Sequence, residues 1–144
     1  MTRHTSSDEL DRLNDIVKLP SVDELKSLGG YTHNLNHTTG YMVSLAGYEV
    51  VIPADICTNE NWGMYYITHR SVGSVKKETY VGAWFNPDDD NFYFDVSQWV
   101  EDKEEALTLG EKNEQLSIYE IETGMCIPCL DVPTHLFLLR NTIS

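Results

Sequence analysis

Apolar positions along this chain recur first at helical spacing and then in alternation. Leu10, Leu13 and Val17 stand three and four apart behind Ser6-Ser7-Asp8-Glu9, where Ser6 and Glu9 have the spacing of a capping box. Pro20 ends that helix, and Ser21-Val22-Asp23-Glu24 repeats the box ahead of Leu25 and Leu28. Gly29-Gly30 predicts a C-terminal cap. Residues 1–30 are therefore expected to form a segment of two short helices, and residues 31–144 a single α+β domain. Residues 31–40 read as a loop with at most a short extended piece.

Tyr41 to Leu45 and Tyr48 to Ile52 read as two strands joined through Ala46-Gly47 as a hairpin, stopped by Pro53. Trp62, Tyr65, Tyr66 and His69 share one face of a helix over 59–69, with Gly63 as a weak point. Thr79 to Phe85 and Phe92 to Val96 form the clearest hairpin, turned by Asn86-Pro-Asp-Asp-Asp-Asn91. Asp102 begins a helix running to about Glu114, whose inner face would hold Ala106, Leu109, Gly110 and Asn113. Leu116 to Glu122 is a last strand ended by Thr123-Gly124, and Leu136 to Leu139 offers a sixth. Hairpins dominate, and no βαβ run stands out. The expected architecture is a mainly antiparallel sheet of about five strands with helices mostly on one face, preceded by the two N-terminal helices.

Charge changes the picture more than size does. The 144 residues carry a net charge of −13. Residues 78–122 hold thirteen acidic side chains against Lys103 and Lys112, so −11 of that charge lies in this one stretch. Such a field repels nucleic acid and anionic membranes and attracts basic surfaces. No apolar run approaches the ~20 residues a membrane span needs. Three cysteines make no disulfide framework, and the polar Met1 to Glu9 stretch does not read as a secretory signal. The expected location is the reducing cytoplasm of a cell.

Candidate chemistry is sparse. Cys126-Ile-Pro-Cys129 has the C-x2-C spacing of a zinc half-site, and His33 with His37 has H-x3-H spacing. Together they make a conceivable Cys2His2 zinc centre, set against free thiols in a tail loop. Asp88-Asp89-Asp90 lacks the glycine and terminal glutamate of a calcium loop and reads as a solvated turn. There is no G-x-S-x-G elbow, P-loop or dinucleotide-binding glycine pattern. Cys57 reads as a buried thiol and His69 as a packed histidine, so no enzyme activity is expected. The acids remain. Asp88, Asp89, Asp90, Glu101, Glu104, Glu105, Glu111 and Glu114 are candidate partner-binding residues, with Asp95 and residues 120–122 contributing to the same negative character.

Gly40-Tyr-Met-Val-Ser-Leu-Ala-Gly47, Phe92-Tyr-Phe-Asp-Val-Ser97, Glu105-Ala-Leu-Thr-Leu-Gly110 and Asn113-Glu-Gln-Leu-Ser-Ile-Tyr119 with Thr123-Gly124 carry a further signal. The chain resembles, over about residues 29–125, an uncharacterised family of small proteins encoded by actinobacterial phages and mobile elements. The likeness is a pattern of short matches without an active-site motif, so it implies a setting and no functional residue. That setting and the charge together predict an interaction protein. It would inhibit a basic, nucleic-acid-handling host defence protein by imitating nucleic acid, in the manner of an anti-CRISPR or anti-restriction protein. The alternatives are the small zinc-binding or catalytic domain, and an accessory module with no ligand.

Overall fold

The computed structural model describes residues 18–72 and 78–129. Among them lie three complete helices and seven strands, all of whose given pairings are antiparallel. The fold is α+β, with more strands than the five expected. The predicted helix over 6–17 and the strand over 136–139 fall outside the described residues.

The chain divides into two compact units, which interleave in sequence. One takes in Met1–Asn36 and Leu45–Trp99, and the other His37–Ser44 and Val100–Ser144. The described part of the first unit contains helix α1 (Val22–Leu28), strands β1 (Gly30–Thr32) and β3 (Val50–Pro53), helix α2 (Asn59–His69) and strands β4 (Thr79–Asn86) and β5 (Asn91–Val100), the last residue of β5 belonging to the second unit. The second contains β2 (Tyr41–Ser44), helix α3 (Lys103–Lys112), β6 (Ser117–Glu120) and β7 (Met125–Pro128).

In the first unit β4 and β5 form the long hairpin that the alternation predicts, in register from Thr79 opposite Gln98 to Asn86 opposite Asn91. β1 flanks β4, with Tyr31 opposite Ala83, and β3 flanks β5, with Ile52 opposite Phe92. Two expectations change here. Gly30 does not prolong the helix cap, because the chain pairs with Trp84 from that residue onward; Gly29 alone, at φ +83°, makes the reversal. β2 and β3 are not a hairpin, since β3 pairs with β5 and β2 with β6. Pro53 fits that outcome, as a proline closing a short flanking strand.

Alternation sorts the sheet into two faces. Val81, Ala83, Phe92, Phe94 and Val96 are all buried on one face. Trp62 and Tyr65 of α2 cover it, their rings 5.0 and 5.4 Å from that of Phe94. Each such aromatic contributes roughly 1.5–3 kcal/mol on leaving water. α1 adds the fully buried Leu25 and lays Lys26 over the Phe85 ring on the same side. Both helices start on complete capping boxes, Ser21 with Glu24 and Thr58 with Asn61. The Asn59 side chain also accepts a bond from the Val22 N–H, tying the two helix starts together.

In the second unit β6 stands between β2 and β7, with Met42 opposite Tyr119 and Ile118 opposite Ile127. Val43, Ala106, Ile118 and Cys129 form its buried cluster with Val100. Ala106 and Gly110 are the buried residues of α3, as the predicted small-residue face requires, and Leu107 and Leu109 pack against the cluster at half burial. β7 was not anticipated. The turn Ile121–Gly124, with Gly124 at φ +71°, folds Met125–Pro128 back along β6. Among the described residues no helix is long and apolar enough to cross a membrane.

Candidate functional site

The predicted acidic residues are all at the surface. Asp88, Asp89 and Asp90 sit in the β4–β5 turn, which is built by its own side chains. The Asn86 side chain accepts the Asp88 N–H, the Asp89 side chain accepts the Asn91 N–H, and Asp90 takes φ +57°, a conformation Asp tolerates. The tip is thus a formed turn that presents three carboxylates to water.

In the second unit, Asp102 caps α3 by accepting the Glu105 N–H. With Ala106 and Gly110 turned inward, Glu104, Glu105 and Glu111 point to solvent, as do Glu101 ahead of the cap and Glu114 after the helix end. Acids of this unit also meet at Tyr41 of β2. Burial, the Glu120 carboxylate bonded to it, and the charges of Asp102 and Glu122 push the Tyr41 phenol above its ordinary range. Each unit therefore carries its own share of the negative field.

Among the described residues no three His, Cys, Asp or Glu side chains are grouped to hold a metal ion. His33 lies in the first unit, and His37, Cys126 and Cys129 in the second. A C-x2-C pair grips a metal from a turn, whereas here Cys126 lies within the strand β7 and Cys129 just past its end. Cys126 is exposed and Cys129 buried. Burial, with the Glu111 charge second, raises the Cys129 thiol. Cys57 is likewise a buried thiol raised by burial.

His33 is buried, with Nδ1 2.7 Å from the Tyr31 hydroxyl and its ring edge-on to Tyr66 at 4.9 Å. It borders a cleft of about 190 Å³ in the first unit, lined also by Tyr66, His69, Arg70 and Tyr80. Burial lowers the pKa of His69, whose ring packs 4.4 Å from Tyr65, as the sequence predicts for a packed histidine.

One surface feature escaped prediction. Trp84, 41% exposed, lies on the face of the β1-β4-β5-β3 sheet opposite the helices. It stacks on Tyr93, with centroids 4.4 Å apart and planes at 17°. Across the strands the row reads Gly30, Trp84, Tyr93, Val51, and Val51 is 43% exposed. The Tyr93 hydroxyl donates to Asp89; Asp95 occupies the next row on this face, opposite Gly82, and its charge acts on Glu49, the residue before β3. A signal for Trp84 was present: with Val81, Ala83 and Phe85 turned to the core, Trp84 falls on the outward phase of the alternation.

Compared with known proteins, the chain matches no family model, no curated protein and no solved structure.

Proposed function

We propose that this chain is a small acidic interaction protein that binds a basic, nucleic-acid-handling host protein and takes the place of nucleic acid on it. In the setting implied by the resemblance, it is the product of a phage or mobile element and acts in the bacterial cytoplasm. The partner would be a defence protein such as a CRISPR effector or restriction enzyme. One observation supports this reading above others. Asp88, Asp89, Asp90, Glu101, Glu104, Glu105, Glu111 and Glu114 are all exposed, within a stretch of thirteen acids and two lysines. Duplex DNA presents one charge per ~1.7 Å of axis, and a partner evolved to hold that density has lysines and arginines ready for carboxylates. Binding of this kind is fast, steered by the field, and weakened by salt.

The experiment is affinity capture from a bacterial lysate on the immobilised chain, beside a variant with all eight carboxylates changed to Asn or Gln. Amide replacements keep acceptor oxygens for the turn bonds at Asp89. Nucleic-acid-binding proteins should be held at low salt by the parent alone, and released by duplex DNA. Retention by both chains, indifferent to DNA, contradicts the proposal.

A further inference from the structure

We propose that the outer face of the first unit's sheet, centred on the stacked pair Trp84 and Tyr93, is a platform for arginine side chains of the basic partner. This rests on the reading of the chain as an acidic binding protein, and adds where and by what chemistry the partner is gripped.

Three observations converge. The face is apolar where it is open: Trp84 and Val51 are both about two-fifths exposed although they stand in the middle of paired strands. Among the described residues the two flanks of the indole differ. Tyr93 covers one flank, and on the other the cross-strand neighbour is Gly30, which has no side chain to lay over the ring. Carboxylates stand on both sides of the aromatic row, Asp89 at the turn end through its bond to the Tyr93 hydroxyl, and Asp95 one row further along, where its charge acts on Glu49.

A guanidinium suits this arrangement better than an ammonium does. It is planar and weakly hydrated, so it stacks flat on an indole while its N–H groups reach carboxylates at the rim. Lysine brings a compact, strongly hydrated charge that gains from the acids but less from the ring. An exposed Trp stacked on a partly buried Tyr beside complementary charge also matches the composition of binding hot spots. Val51 extends the apolar strip to meet the methylene stem of the arriving side chain.

The test uses the full chain, labelled with 15N, and two synthetic peptides of equal length and charge, one carrying arginines and the other lysines. The indole N–H resonances of Trp62, Trp84 and Trp99 report without any substitution. At low salt the arginine peptide should move the Trp84 resonance, leave that of buried Trp62 in place, and bind about tenfold more tightly than the lysine peptide. Trp84→Leu should remove that preference and leave the weaker, salt-sensitive binding that the lysine peptide shows. Should both peptides bind equally with the Trp84 resonance unmoved, the platform is refuted while the acidic reading stands. If neither binds at low salt, both fail. Finding Trp84 already covered, by a second copy of the chain in sedimentation or by another segment in nuclear Overhauser contacts, also overturns it.

Discussion

Gly110 of α3 lies so close to Cys129 that a β-carbon at residue 110 would stand 2.4 Å from the Cys129 sulfur, and 3.0 Å from a methyl carbon of Ile118. That approach explains a glycine within a helix, where it costs about 1 kcal/mol relative to alanine. Gly110→Ala should therefore destabilise the protein despite its better helix propensity. Overpacking of this type costs ~1–3 kcal/mol. Urea unfolding of Gly110→Ala, Cys129→Ala and the double variant checks it. The double variant should recover part of the loss, and purely additive effects would place the strain elsewhere.

The cap of α2 gives an independent measurement. The Thr58 hydroxyl accepts the Asn61 N–H at 3.1 Å, and the Asn61 side chain accepts the Thr58 N–H at 2.8 Å. Thr58→Ala should cost about 1 kcal/mol and Thr58→Ser very little. Because α2 carries Trp62 and Tyr65 onto Phe94, the loss should register as global unfolding at lower denaturant, read by near-ultraviolet circular dichroism.

Thiol chemistry separates the three cysteines. Cys126 is exposed, whereas Cys57 and Cys129 are buried with raised thiols. A disulfide reagent should titrate one thiol rapidly and the other two only at the rate of unfolding. Zinc added to the native protein should leave the fast thiol reactive, since its neighbours supply no further ligands among the described residues. Protection of Cys126 by stoichiometric zinc would contradict that geometry.

Alkaline pH should weaken the fold. Burial and the hydrogen bond donated to Glu78 push the Tyr80 phenol from 10.0 up to about 12. Burial moves Tyr65 the same way, helped by the charges of Asp95 and Glu49. A phenol whose pKa is higher in the folded state loses its proton first in the unfolded chain. Its contribution is complete below pH 10 and is lost as pH rises towards 12. Tyr80→Phe should flatten part of that decline, followed by denaturant midpoints across the range. An unchanged slope would show that Tyr80 ionises freely in the native protein.

Local signals were the legible ones. The box at Ser21, the cap at Asp102 and the aspartate-rich turn at 86–91 each depend on neighbours within a few residues, and each is found where predicted; the box at Thr58 is equally local, though only the helix behind it was expected. Strand partnership was less legible. β3 pairs with a strand about 40 residues away, and no local pattern distinguishes that from a hairpin with β2. The C-x2-C motif was ambiguous for a related reason. Spacing has meaning only once the backbone conformation is known, and β7 exists because β6 offers it an edge. Of the candidate site, the exposure of the acids followed from their positions opposite Ala106 and Gly110 and in the turn. The Trp84–Tyr93 stack required the register that sets residue 84 opposite residue 93.

The central claim is that the chain occupies a nucleic-acid site by charge. It is tested most directly by competition, using the partner recovered at low salt and a fluorescently labelled duplex bound to it. Adding the chain should displace the duplex, at a concentration that rises steeply with salt, and the variant with its eight carboxylates neutralised should displace it far less. A ternary complex in which the duplex stays bound, or displacement equal for the parent and the neutralised variant, would contradict the account.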